Sequence, residues 1–232
     1  MNSNKMSTND VDYAFNFGNY DPDNLEVSET INAVFVIDTS GSVGRYVNEL
    51  NSAYNEFLAR MQKSHAADQL LVSLIEFNDT VHTVNGFMPI KNMQPVDFAS
   101  KIDGSTALYD ACKVGLKNAI DYRTSLENSG VNCKTLLFVI TDGEDNSSNC
   151  QPSEVKDMIK DLLQEERNIF SFESILFGVG RDSEFEKAQK EMGIKHLAKV
   201  GTTADEIRKM IAFISASITS VSTGQGVSTP NF

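Results

Sequence analysis

Small oxygen-bearing side chains follow an apolar run at one point of the chain, in the stretch FVIDTSGSVG at residues 35–44. Asp38, Ser40 and Ser42 alternate there with other residues, so an extended turn would direct all three side chains toward one point. Such a cluster could serve a nucleophile, a phosphate-binding loop or a metal ion. Residues elsewhere in the chain distinguish between these three possibilities.

The spacing of these residues disfavours the first two. A nucleophile elbow has the pattern G-x-S-x-G, but the glycine before Ser42 is one position off, and the three histidines are expected away from this loop: His65, His82 and His196. A phosphate loop has the pattern G-x-x-x-x-G-K-[ST], and no lysine follows GSVG. An aspartyl phosphotransferase would need a second carboxylate where Ser40 stands. Metal-dependent phosphohydrolysis stays open as the alternative function.

Two later segments supply further oxygen donors. Thr106 lies in DGSTALYDA (103–111), where a helix is predicted to begin, and Asp142 follows an apolar run in ITDGEDN (140–146). Each residue alone could be a helix cap or a turn residue. At three adjacent ends of one sheet, however, two carboxylates and three hydroxyls would converge. Hard cations prefer oxygen ligands, and this set suits octahedral Mg²⁺, or Mn²⁺, with water completing the shell.

The elements that must position these residues alternate along the chain. Apolar, β-branched runs predict strands at 31–37, 70–77, 81–87, 135–141, 170–180 and 195–200. Apolar residues at helical spacing predict helices at 43–63, 106–126, 153–165, 183–192 and 204–221. This alternation predicts an α/β fold with a mostly parallel sheet, helices on both faces, and one antiparallel edge strand from the hairpin at 70–87. In such folds ligands bind beyond the carboxyl ends of the central strands, where the polar segments lie.

Charge and cysteine content narrow the class of protein. The net charge of −12 argues against a nucleic-acid partner, which would need a basic patch. Cys133 and Cys150 are predicted about 25 Å apart at opposite ends of one strand, whereas a disulfide spans about 7 Å. Free thiols suit a reducing compartment, and neither a leader nor an apolar run of about 18 residues is visible. We therefore expect a cytoplasmic protein with no membrane partner.

Composition also predicts three regions. Residues 1–29 are polar and are expected to form a partly disordered extension, whose aromatic residues would dock in part on the body. Residues 30–221 are expected to form the domain. Residues 222–232, rich in Ser, Thr and Gly, are expected to form a flexible tail.

The three polar segments together resemble the metal-ion-dependent adhesion site of the von Willebrand factor A (vWA) domain family. All five positions of that site are present: Asp38, Ser40, Ser42, Thr106 and Asp142. The resemblance covers about residues 30–220 and implies a three-layer, Rossmann-like fold with five parallel strands and one antiparallel edge strand. It also implies Mg²⁺ held directly by the serines and sometimes by the threonine, and largely through water by the aspartates.

The resemblance further implies a binding module and not an enzyme. In this family an Asp or Glu side chain of a protein partner fills the open metal position. Glu144 and Asp145 are expected to be exposed loop acids at the rim, so no positioned general base is evident. The stand-alone arrangement of the domain resembles small bacterial members of the family, including those of tellurite-resistance clusters. This resemblance implies an ATPase or a phosphatase- or kinase-like protein as partner. Because family members move their last helix, 204–221 is the candidate for a shift.

Overall fold

The computed structural model describes residues 19–143, 145–164, 172–180 and 184–230. Its strands are β1 (Glu29–Asp38), β2 (Leu70–Phe77), β3 (Val81–Pro89), β4 (Asn132–Thr141), β5 (Phe172–Val179) and β6 (His196–Val200). They form one sheet in the order β3-β2-β1-β4-β5-β6. Every neighbouring pair is parallel except β2 with β3, so β3 is an antiparallel edge strand.

Helices cover both faces of this sheet. In the described ranges they are α1 (Val47–Met61), α2 (Leu108–Asn128), α3 (Pro152–Gln164), α4 (Phe185–Met192) and α5 (Ala204–Ser222). Helices α1 and α5 share one apolar cluster with the sheet, and α2, α3 and α4 share the other. The predicted three-layer, Rossmann-like α/β fold with a mostly parallel six-stranded sheet is therefore confirmed. No helix in the part of the chain that is described is long and apolar enough to cross a membrane.

The central strand β1 shows why the polar residues lie at one edge. Phe35 packs against Tyr54 and Phe57 of α1, with ring centroids 5.2 and 5.3 Å apart. On the opposite face Val36 packs against α2. A Cβ atom added to Gly115 of that helix would lie only 3.0 Å from the Cγ2 atom of Val36. Because both faces of β1 are buried, the first polar residues after it emerge only where the strand ends.

The pairing register brings the ends of β1 and β4 together. Ile37 pairs with Ile140, so Asp38 and Thr141 end side by side at the carboxyl edge of the sheet. The Thr141 hydroxyl donates a 2.6 Å hydrogen bond to Asp38 Oδ2. The sheet thus places the first and third polar segments next to each other, as the strand pattern predicted.

The amino-terminal part of the described chain docks on the edge strand. Tyr20 N donates to Phe87 O at 2.7 Å, and Phe87 N donates to Asn19 Oδ1 at 2.8 Å. The hydroxyl of Tyr122 on α2 donates to Tyr20 O at 2.9 Å. Most of the extension for which partial disorder was expected, residues 1–18, lies outside the described residues.

The three cysteine thiols are free. Strand β4 separates Cys133, near its first residue, from Cys150, which lies beyond its last, as predicted. Burial raises the pKa of the Cys133 thiol to about 11 and that of Cys150 to about 12. These thiols are therefore protonated near neutral pH and act as small buried groups.

Glu76 is a carboxylate inside the apolar body. It lies near the end of β2 with 6% of its surface exposed. Burial raises its pKa, while the charge of Lys101 opposes this shift and that of Asp97 adds to it. Its charged form is therefore disfavoured in the folded protein. This carboxylate costs stability at neutral pH, where it is ionised in the unfolded chain.

We expect Glu76→Gln to stabilise the protein at pH 7 by roughly 1 kcal/mol, at the low end of the cost of burying an imperfectly compensated group. The gain should vanish below the unfolded pKa of about 4.3, because the protonated carboxyl favours the folded state there. Urea unfolding at pH 7 and pH 4 measures both values. The exposed Glu56 on α1 offers a matched control, Glu56→Gln. A gain that is equal at both pH values would contradict this explanation.

Candidate metal centre

The first and third polar segments form one chain of hydrogen bonds. Asp38 Oδ1 accepts from Ser40 N at 2.8 Å, and Ser40 Oγ lies 3.2 Å from Ser42 Oγ. Ser42 Oγ then donates to Asp142 Oδ1 at 2.7 Å. Four of the five predicted ligands are therefore brought together, Asp38 through the backbone N–H of Ser40 and the other three through their side chains. All four side chains carry oxygen atoms, and they lie at one edge of the sheet.

The local sequence explains the shape of the first segment. The carboxylate of Asp38 accepts from the backbone two residues on, which closes a tight turn directly after β1. Ser40 remains extended, with φ −64° and ψ 166°, and a 3₁₀ helix follows at Gly41–Arg45. The single helix predicted over 43–63 is therefore wrong at its start. Two glycines and a serine within five residues favour this tight turn over an α-helix.

The second segment holds Thr106 by its backbone. Thr106 N donates to Asn146 Oδ1 at 2.8 Å, while Asn146 N and Ser147 N donate to Thr106 O at 3.0 and 3.2 Å. Ala107 N also donates to Asn78 O in the β2–β3 turn at 2.6 Å. Thr106 is 5% exposed. The third segment thus fixes the position of the threonine in relation to Asp142.

Asp110 anchors residues 148–150, which follow the third segment, and was not singled out from the sequence. Its Oδ1 accepts from Cys150 N and its Oδ2 from Asn149 N, both at 2.9 Å, and its own N–H donates to Ser148 Oγ. Burial opposes its charge, but the hydrogen bonds from Asn149 and Cys150 outweigh that effect and lower its pKa. In the sequence it looks like an ordinary first-turn acid of a helix, so only the fold reveals this role.

The expectation that Asp145 is a simple exposed acid is wrong. Asp145 is half-buried and accepts hydrogen bonds from the Ser148 hydroxyl and from Tyr109 N, the latter at 3.4 Å. Its side chain therefore helps to hold the third segment in place and is not a free acid at the rim of the site. Glu144, for which the same expectation was made, lies outside the described residues.

The histidines are arranged nearly as predicted. His196 lies at the start of β6, away from the polar edge, 3.2 Å from a carboxylate oxygen of Glu173. His82 lies on the edge strand β3, where it pairs with Glu76 near the carboxyl end of β2. Its side chain is exposed. The hairpin turn beside it contacts the second segment, which the sequence pattern could not show.

A cation from the chain itself also reaches this cluster. Arg45 Nη2 lies 2.8 Å from Asp142 Oδ2. The side chain of Asp142 has no exposed surface, whereas 57% of the Arg45 side chain is exposed. No motif in the sequence pointed to Arg45, which is merely the last residue of the 3₁₀ helix.

The electrostatics of the centre favour an added positive charge. Burial raises the pKa of Asp38, its hydrogen bonds from Thr141 and Ser40 oppose the shift, and the charge of Asp142 adds to it. Burial also raises the pKa of the Tyr46 phenol, and both carboxylates add to that shift. The guanidinium of Arg45 pairs with Asp142, whereas Asp38 accepts hydrogen bonds from neutral groups. A divalent cation would stabilise the charged form of Asp38.

The donor set fits a hard cation. Its five candidate donors are all oxygens, two from carboxylates and three from hydroxyls. Among the residues described, no group of three or more His, Cys, Asp or Glu side chains could hold a metal, so any site here depends on hydroxyl ligands. The buried Tyr46 hydroxyl, which the two carboxylates influence, lacks a hydrogen-bond partner among the described residues. A hydrated metal would supply such a partner.

Comparison with known proteins adds the family. The family model described as "von Willebrand factor type A domain" matches residues 32–222. No curated protein sequence matches the chain. The chain is, however, similar in fold to 205 chains of solved structures.

Three of these structures illustrate the similarity. The PilB minor pilin of Streptococcus sanguinis is 13% identical with a TM-score of 0.54, over 83% of this chain and 62% of that one. The pilus adhesin SpaC of Lactobacillus rhamnosus GG is 13% identical with a TM-score of 0.58, over 82% of this chain and 30% of that one. Proximal thread matrix protein 1 of the mussel byssus, with a zinc-occupied MIDAS motif, is 16% identical with a TM-score of 0.54, over 81% and 45%. The chain thus spans less than two thirds of each, and such identities show the fold alone.

Proposed function

Because the chain belongs to the von Willebrand factor type A domain family, we propose that it is a metal-dependent protein-interaction module. Its metal would be Mg²⁺, or Mn²⁺, held by Asp38, Ser40, Ser42, Thr106 and Asp142. The observation that carries this proposal is the continuous hydrogen-bonded chain from Asp38 through both serines to Asp142. It links the first and third segments at the sheet edge where α/β folds bind ligands.

Each ligand would have a distinct task in this site. The hydroxyls of Ser40 and Ser42 would ligate without adding charge, and the carboxylates of Asp38 and Asp142 would supply it from opposite ends of the chain of hydrogen bonds. Thr106 would complete the set from the second segment. A bound metal with few direct anionic ligands supplies Lewis acidity toward an outside carboxylate. The preferred partner group is therefore an Asp or Glu side chain of another protein.

Binding is favoured over the alternative, metal-dependent phosphohydrolysis, by what the nearby acids do. Asp145 and Asp110 both accept hydrogen bonds that fix the third segment and residues 148–150 after it. The raised pKa of Tyr46 keeps that phenol protonated at neutral pH. These groups hold the framework and do not present a base to a substrate, whereas hydrolysis of a phosphoester needs an activated water.

The proposal also covers the class of partner and the cellular location. Two similar solved structures are named as a minor pilin and a pilus adhesin, which supports a protein as the bound partner. We propose a bacterial, cytoplasmic member of the tellurite-resistance type, with an ATPase or a phosphatase- or kinase-like protein as partner. We also propose the extents 1–29, 30–221 and 222–232 for the extension, the domain and the tail.

Metal-dependent capture tests the proposed function. The full chain, immobilised in Mg²⁺, should retain a protein partner that EDTA releases, and changing the contacting Asp or Glu of that partner to Asn or Gln should abolish retention. The far-ultraviolet circular dichroism of the chain should not change in EDTA, because its apolar core is independent of the site. Retention that persists in EDTA, or Mg²⁺-dependent turnover of p-nitrophenyl phosphate, would contradict the proposal.

A further inference from the structure

Arg45 places a positive charge on one of the proposed ligands. Its Nη2 atom lies 2.8 Å from Asp142 Oδ2, while Ser42 Oγ donates to the other oxygen of that carboxylate. The Asp142 side chain is completely buried, whereas 57% of the Arg45 side chain is exposed. A carboxylate so deeply buried needs a counter-charge. The guanidinium provides it from the solvent side.

The local backbone holds Arg45 at this place. The 3₁₀ helix Gly41–Arg45 separates Ser42 and Arg45 by three residues, which sets both side chains on one face. A Cβ atom on Gly180, next to the end of β5, would lie 3.4 Å from Arg45 Nη2. The guanidinium therefore extends along the carboxyl edge of the sheet from the end of β4 to the end of β5. It is held beside the site and does not extend freely into solvent.

We propose that Arg45 is a tethered competitor of the metal, which neutralises Asp142 in the metal-free protein and lowers the affinity of the site for divalent cations. This inference rests on the proposed function, because it requires a cation beside Asp142. Guanidinium keeps its charge in proteins, so the competition is always present. An incoming cation must either displace the guanidinium from Asp142 or bind beside it against charge repulsion, and both routes weaken metal binding.

The competitor sets the cation concentration at which the site fills. In its absence the site would fill at a lower concentration, but the metal-free protein would leave Asp142 buried without a counter-charge. Arg45 therefore has opposite effects on two measurable quantities. It stabilises the metal-free protein and weakens metal binding.

Arg45→Gln in the full chain tests this inference. Calorimetric titration with Mg²⁺ should show a dissociation constant about fivefold lower than that of the wild type, since solvent screens a half-exposed charge. The melting temperature in EDTA should fall, because Asp142 loses its partner. Arg45→Lys should keep the wild-type affinity, since it keeps the charge. Arg60→Gln removes the same charge from an exposed position near the other end of α1, about 20 Å along that helix, and should change neither value.

The outcomes separate this inference from the proposed function. If the wild type binds Mg²⁺ and Arg45→Gln binds it equally or more weakly, Arg45 is only a structural partner of Asp142 and the inference is overturned. An equal gain in Arg60→Gln would also overturn it, since net charge alone would explain the change. If neither the wild type nor any variant binds Mg²⁺ or Mn²⁺, both the proposed function and this inference fail.

Discussion

Replacing Asp38 with Asn should weaken the binding of Mg²⁺ by on the order of 100-fold or more, and it should do so in a protein that remains folded. Loss of supporting groups around metal ligands already costs 10–100-fold, and Asp38 is itself a proposed ligand and one of the two carboxylates of the site. Asn keeps the shape of the side chain and its acceptor for Ser40 N. The variant therefore removes charge with little change in structure.

The same variant should be more stable than the wild type when metal is absent. Burial raises the pKa of Asp38, so ionising this carboxyl at neutral pH opposes folding. A neutral amide removes that cost and can still pair with the hydroxyl of Thr141. Thermal unfolding in EDTA measures this gain, and calorimetry with Mg²⁺ measures the loss of binding.

A neighbouring acid controls for charge alone. Asp103 is exposed on the second segment and accepts a hydrogen bond from Gly104 N. Asp103→Asn changes net charge as Asp38→Asn does, but Asp103 is not a proposed ligand. We expect it to change Mg²⁺ affinity by less than about threefold, as solvent screens exposed charges. Undiminished Mg²⁺ binding by Asp38→Asn, with one ion per chain, would refute the assigned site.

The sequence was sufficient to predict where the proposed ligands lie. Strands such as β1 and β4 have long apolar runs, so their ends can be recognised by the first charged residue after the run, which is Asp38 at the end of β1 and Asp142 directly after β4. Parallel strands end at the same edge, which brings these two residues near each other without any knowledge of side-chain packing. The pattern of apolar residues therefore carried this part of the prediction.

The framework that holds the ligands could not be predicted in this way. Asp110 bonds to Asn149, 39 positions further along the chain, and Arg45 bonds to Asp142, 97 positions further along. The pattern of residue types along the sequence carries no information on such distant pairings. Asp145 was misjudged for the same reason, because Tyr109 and Ser148 surround an acid that looks like a loop residue. The 3₁₀ helix before α1 is likewise joined to the second segment by a contact that the sequence does not reveal, in which Gly41 N donates to Gly104 O at 3.2 Å.

Thr106→Ala should weaken binding of a carboxylate partner about tenfold while weakening Mg²⁺ binding less than threefold. The backbone of Thr106 is held by Asn146 and Ser147, so loss of the hydroxyl should leave the second segment in place. The remaining four ligands would retain the metal. The partner loses more, because a hydrogen-bonding group beside a charged ligand contributes about 1.5 kcal/mol, roughly tenfold in affinity.

Thr106→Ser is the matched control for this variant, since it keeps the hydroxyl and removes only a methyl group. Surface plasmon resonance with the captured partner in Mg²⁺, together with calorimetry of Mg²⁺ alone, measures both affinities on each variant. Near-wild-type values are expected for Thr106→Ser. Equal losses of both affinities in Thr106→Ala would make the threonine a metal ligand with no separate role toward the partner. Partner binding that survives in Thr106→Ala and in EDTA alike would place the interaction on another surface, because a carboxylate held by the metal cannot remain when the metal is removed.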